Sequence, residues 1–146
     1  MRWRVAAALC AALALPGCGS GSLTAAQLRN RATQVCTTAD RLTATIPTPA
    51  TPAASGTFLR RGLAVLEPEL AALRVLKAPG DLDQVYATSI DALADKLQAL
   101  TGAVRGLRAG EDPRGTITSL ARRLAPLESK EDGAWRALGI PACIDQ

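Results

Sequence analysis

One stretch of this chain leaves little choice of structure. Tyr86, Ile90, Leu93, Leu97, Leu100, Val104 and Leu107 recur at spacings of 4, 3, 4, 3, 4 and 3. That rhythm follows the 3.6-residue turn of an α-helix and does not fit the two-residue alternation of a strand. Asp91 and Asp95, one turn apart, fall on the side opposite Ile90, Leu93 and Leu97. The predicted helix has an apolar face to bury and a charged face to leave in water. Such a helix needs partners of its own kind.

The rest of the chain supplies three. Thr24 and Gln27 make a capping-box pattern, and Leu28, Ala32, Val35, Ala39, Leu42 and Ile46 then follow at helical spacing. Pro47, Pro49 and Pro52 end that helix within a Thr/Ala/Pro linker that runs to Gly56. Leu59, Leu63, Leu66, Leu70 and Leu73 define a second helix with Pro68 inside it. A proline there removes a hydrogen bond and crowds the preceding turn, which predicts a kink or a break. Ala78-Pro79-Gly80 stops this helix, and Asp81 is the expected N-cap of the next. Asp112-Pro113 opens a fourth helix, carried by Ile117, Leu120, Leu124, Leu127, Ala134 and Leu138 and interrupted by Gly115, Pro126 and Gly133. Leu138-Gly139-Ile140-Pro141 reads as a Schellman-type stop. Gly102, Gly106 and Gly110 are spaced by four; Gly110 reads as a helix stop, and the other two lie off the apolar stripe. The expected fold is all-α, an up-down-up-down four-helix bundle over residues 24–146.

What precedes the bundle reads as an export signal. Arg2 and Arg4 give a basic start, and Val5 to Leu15 is uninterrupted apolar chain. Positive charge, then roughly 7–15 apolar residues and a small residue, is the secretory pattern. A membrane-spanning helix needs about 20 apolar residues, so this run is too short to remain as an anchor. Leu15-Pro16-Gly17-Cys18 resembles a bacterial lipobox, with Pro16 standing where Ala, Ser or Thr is usual. The resemblance implies cleavage after Gly17 and a diacylglycerol on the Cys18 thiol. Residues 1–17 are then a lipoprotein signal peptide and 18–23 a short Gly/Ser tether. The reading weighed against it is ordinary secretion, with Cys18 trimmed off or left free. Lipidation would place the domain at the outer face of the cytoplasmic membrane, because the tether reaches only about 20 Å even when extended.

The same reading sorts the four cysteines. Cys10 leaves with the signal and Cys18 takes the lipid, so Cys36 and Cys143 remain as an even pair in an oxidising compartment. A redox role lacks support, since the chain has no C-x-x-C and no histidine to lower a thiol pKa. In the expected bundle, helices one and four are antiparallel neighbours. Cys36 lies about 18 Å up helix one and the tail after helix four spans about 16 Å. The bridge is feasible if the tail runs back along helix one, or if helix one extends beyond the bundle at its base. Trp135, at the same end, is expected to pack over tail and disulfide. Pro68 and Pro126 fall at similar heights on helices two and four. Two readings compete for them: tolerated kinks in a filled core, or kinks that line an apolar cavity.

Trp135-Arg136-Ala137-Leu138-Gly139-Ile140-Pro141-Ala142-Cys143, with Leu70-Ala71-Ala72-Leu73-Arg74 and the Gly110-Glu111-Asp112-Pro113 turn, resembles a group of small Ala/Leu-rich exported proteins of high-GC bacteria. Their shared features are a first-helix cysteine, here Cys36, and a W-x-x-L-G-x-P-x-C end. The resemblance implies the bundle and the Cys36–Cys143 pair, and carries no activity with it.

Composition bears mainly on what the chain lacks. The formal charge of +4 loses Arg2 and Arg4 with the signal and becomes +2, too little to indicate nucleic acid. Histidine is absent, which excludes Ser-His-Asp and Cys-His sites and histidine-ligated metals. Glu128, Glu131 and Asp132 form an acidic cluster near Lys130 and Arg136, read as helix surface with an i, i+4 pair between Asp132 and Arg136. Arg60-Arg61 and Arg122-Arg123 read as surface charge. No catalytic residue, metal site or cofactor is expected. The first expectation is a non-enzymatic, membrane-anchored envelope scaffold or protein-interaction domain. The alternative is a carrier or sensor of a small apolar ligand held between the helices.

Overall fold

The structure, a computed structural model, describes residues 21–144. The expected signal peptide and the expected lipidation site, Cys18, lie outside the described residues. Four helices follow in order: α1 (Ala25–Thr43), α2 (Ser55–Arg74), α3 (Asp83–Arg108) and α4 (Pro113–Leu138). Short 3-10 turns at Pro52–Ala54 and Pro141–Cys143 precede α2 and follow α4. Each helix packs on the next, most extensively α3 on α4, and the result is an all-α up-down-up-down bundle.

Helix ends follow local chemistry. The Thr24 hydroxyl accepts from Gln27 N–H and the Gln27 side chain accepts from Thr24 N–H, which completes the capping box of α1. The Asp112 carboxylate accepts from Gly115 N–H at 2.7 Å, with Pro113 as first helical residue of α4. Gly139 adopts φ +70°, and Ile140 N–H donates to the Trp135 carbonyl, the expected Schellman closure. The α3 start differs from expectation. Asp81 does not cap it; a turn in which Leu82 N–H donates to the Pro79 carbonyl delivers the chain to Asp83, with no side-chain cap.

Both interior prolines are tolerated without a break. α2 runs unbroken through Pro68, and α4 through Gly115, Pro126 and Gly133. Pro68 and Pro126 are exposed, as are Ala64 and Arg122, the residues four positions before them. The carbonyls freed by the missing N–H groups therefore lie where water reaches them.

The core is built on the predicted stripes of α2 and α3. Leu59, Leu63, Leu66, Leu70 and Leu73 of α2 are buried, as are Tyr86 through Val104 of the α3 stripe. α1 departs from its reading. Its buried face is Leu28, Ala32, Cys36 and Ala39, while Val35 is half-buried, Leu42 is 51% exposed and Ile46 lies beyond the helix. Three of the four buried residues are small, so the second half of α1 has little with which to fill the space beside α2.

The closure of the bundle also departs from expectation. The face of α1 away from α2 is occupied chiefly by the C-terminal tail rather than by the length of α4. Cys36 and Cys143 are disulfide-bonded with Cα atoms 5.1 Å apart, and both are buried, as is Ile140 of the same tail. The tail runs back along α1, the first of the two routes that make the bridge feasible. Arg29 Nε donates to the Leu138 carbonyl at 2.8 Å and pins the end of α4 to α1. At the same pole Leu23 N–H donates to the Lys77 carbonyl, which ties the start of the domain to the α2–α3 loop.

Candidate functional site

Three charged side chains lie inside this apolar bundle. Glu69 of α2, Lys96 of α3 and Glu131 of α4 are 5%, 4% and 3% exposed. Lys96 Nζ meets Glu131 Oε2 at 2.8 Å. Trp135 Nε1 donates to Glu131 Oε1 at 3.4 Å, and the Trp135 ring packs edge-on against Tyr86 with centroids 5.9 Å apart. The Tyr86 hydroxyl donates to the Leu73 carbonyl at 2.7 Å, and burial pushes its phenol pKa up. A buried pair so placed is charge-balanced, the condition under which ions survive in a core, and Glu131 Oε1 is hydrogen-bonded to Trp135, while Oε2 faces the Lys96 ammonium without a hydrogen bond. The surface reading of Glu131 is corrected here. Of its cluster, Glu128 is exposed and Asp132 pairs with Arg136 at 3.5 Å as expected, but Glu131 points inward.

Glu69 is the member of the trio outside the 2.8 Å ion pair. Its Oε2 is buried and has no hydrogen-bond partner. Burial, and secondarily the Glu131 carboxylate, push its pKa up to about 7, against the pull of Lys96. Because the folded state binds this proton more tightly than the unfolded chain does, Glu69 favours folding most below about pH 4.5. That contribution is lost as pH rises through 7. Over that window the loss is about 3 kcal/mol. Glu69→Gln should therefore leave stability nearly unchanged near pH 4.5 and raise it by about 3 kcal/mol at pH 8, read from urea unfolding at both pH values.

Glu69 also lines an apolar groove on the surface, between α1 and α2, of about 580 Å³. Val35, Ala39 and Leu42 form one wall, and Val65, Pro68, Ala72 and Leu76 the other. Arg31, Gln34 and Thr38 are exposed along its α1 edge. The groove exists because α1 buries alanines and a cysteine where α2 buries leucines. Of the two prolines read as cavity-lining, Pro68 borders this groove. Pro126 is exposed on α4 and does not, so this space lies between α1 and α2 rather than between the two prolines.

Residue spacing carries a signal for the charged trio. Glu69 stands three after Leu66 and four before Leu73; Lys96 stands three after Leu93 and four before Leu100; Glu131 stands four after Leu127 and three before Ala134. Each charge sits on the apolar stripe of its own helix. Among the described residues no group of three His, Cys, Asp or Glu is placed to hold a metal ion, and no helix is long and apolar enough to cross a membrane. Comparison with family models, curated proteins and solved structures finds no match to the chain.

Proposed function

We propose that this chain is an extracytoplasmic lipoprotein whose helical domain carries or senses a small, largely apolar ligand in the α1–α2 groove. The observation that carries the reading is a groove of ligand size, walled by aliphatic side chains, with a buried carboxyl in its lining of which one oxygen has no hydrogen-bond partner. Ligand sites are mostly apolar clefts of about 300–1,000 Å³ with a few placed polar groups. The ligand reading, second on sequence grounds, thus moves ahead of the scaffold reading. An envelope protein partner remains the second reading, favoured by Leu42, 51% exposed at the groove mouth, and Val75, 75% exposed.

Anchoring suits a ligand drawn from the membrane. A lipid on Cys18 and a tether of about 20 Å would hold the pole of the domain where Leu23 meets Lys77 close to the bilayer. Arg31 and Leu76 line the end of the groove nearer that pole. Cys18→Ala is expected to release the protein from the membrane fraction; retention with normal processing would refute the anchor. Native mass spectrometry of the protein from its membrane should show a reproducible apolar adduct, displaced by Ala72→Phe, which fills the groove. An empty wild-type protein, or an adduct indifferent to Ala72→Phe, would refute the groove as its site.

A further inference from the structure

We infer that the groove selects a single-chain amphipathic amine, with its apolar chain between Val35, Leu42, Val65 and Leu76 and its ammonium group against the Glu69 carboxylate. This rests on the ligand reading above and goes beyond it by naming the head group. The first ground is the state of Glu69: 5% exposed, part of the groove lining, its Oε2 without a hydrogen-bond partner. Buried polar atoms are nearly always paired, and a carboxyl oxygen left unpaired is most simply completed by a donor on a ligand.

The second ground is charge. Lys96 and Glu131 already satisfy each other at 2.8 Å, so an ionised Glu69 leaves the trio one negative charge in excess. A ligand cation cancels that excess with a charge-assisted hydrogen bond. A carboxylate head would add a third negative charge beside Glu69 and Glu131. The groups facing Glu69 are Lys96 from α3, Glu131 from α4 and, along the groove edge, Arg31 from α1. Arg31 is exposed and its charge is screened by solvent, so it opposes a cation only weakly.

The pairing fixes a pH dependence. A primary alkylamine is protonated throughout the range in which Glu69 changes charge, so binding requires Glu69 to ionise and must strengthen as pH rises through about 7. Bound amine must in turn make Glu69 easier to ionise.

The test uses the full chain carrying Cys18→Ser, so that no anchor lipid of its own can fill the groove. Dodecylamine, dodecanol and dodecanoate, each below its micelle concentration, are titrated by calorimetry at pH 5.5 and pH 8. The amine should bind best, and at least about tenfold more tightly at pH 8 than at pH 5.5. Glu69→Gln should erase both the preference and the pH dependence while leaving dodecanol binding intact. Equal binding of all three amphiphiles, unchanged by Glu69→Gln, would overturn the amine inference and leave the groove reading standing. Binding of none of them would overturn both. Tighter binding of dodecanoate than of dodecylamine would reverse the assignment of the head group.

Discussion

Loss of the Cys36–Cys143 bridge should cost the folded domain about 4–5 kcal/mol on the chain-entropy view of cross-links. The bridge spans 107 residues, nearly the whole domain, so its removal frees a long loop in the unfolded chain. The folded state loses more than a constraint. α1 buries Leu28 but otherwise only Ala32, Cys36 and Ala39, and the tail that covers it is a 3-10 turn with Ile140 beside it. Burial of an alanine contributes far less than burial of a leucine. α1 and the tail are therefore the elements that the cross-link holds to the rest. Domains of this kind are stable by only about 5–15 kcal/mol, so the change is a large share of the total. Cys36→Ala/Cys143→Ala should lower the urea midpoint accordingly, and amide hydrogens of residues 140–144 should exchange before those of α3. An unchanged midpoint would mean that packing alone holds the tail.

Breaking the buried ion pair should be comparably severe. Lys96→Met leaves Glu69 and Glu131 in the core with no cation between them, and removal of one partner of a buried pair costs about 3–5 kcal/mol. The loss should be greatest at pH 8 and smaller at pH 5, where protonation of Glu69, whose pKa is pushed up to about 7, relieves the repulsion. Lys96→Met/Glu131→Gln should recover much of the stability at pH 8, since it removes one of the two stranded acids and with it their mutual repulsion, and keeps an acceptor for Trp135 Nε1. A double variant as unstable as the single one would show that the lysine stem, rather than the charge balance, is what the core requires. Urea unfolding of wild type, both single variants and the double variant gives the coupling directly.

Much of the fold is legible in the order of the residues alone. The 4-3 rhythm of α2 and α3 holds throughout because both helices lie within the bundle and bury leucines in unbroken rows. The capping box at Thr24, the proline start after Asp112 and the glycine stop at Gly139 are local chemistry, written in adjacent residues. The Cys36–Cys143 disulfide is the pair expected once Cys10 and Cys18 are set aside.

What spacing alone does not show has a common physical cause. For α1 two faces fit the spacing, one through Val35 and Leu42, the other through Cys36. Hydrophobicity favours the first, but the bridge to Cys143 turns the second inward. The groove is the consequence, since Val35 and Leu42 are left to wall an open space. Glu131 reads as surface because two acidic neighbours accompany it. Its place on the stripe of α4 matters more, and only the opposite charge of Lys96, on another helix, makes that place tenable. No pattern within one helix announces such a partner. Glu69 is the sharper case, for its neighbours balance each other and leave it unmatched.

Recognition in the groove turns on Glu69. Its carboxyl carbon can be followed by NMR in protein labelled with carbon-13 at glutamate, with Glu69→Gln to assign the signal. The expected titration midpoint lies near pH 7 in the free protein and moves down toward the ordinary carboxylate range of about 4–5 when dodecylamine binds. A Glu69 that titrates near 4.5 in the free protein, or one whose midpoint does not respond to the amine, would contradict this role.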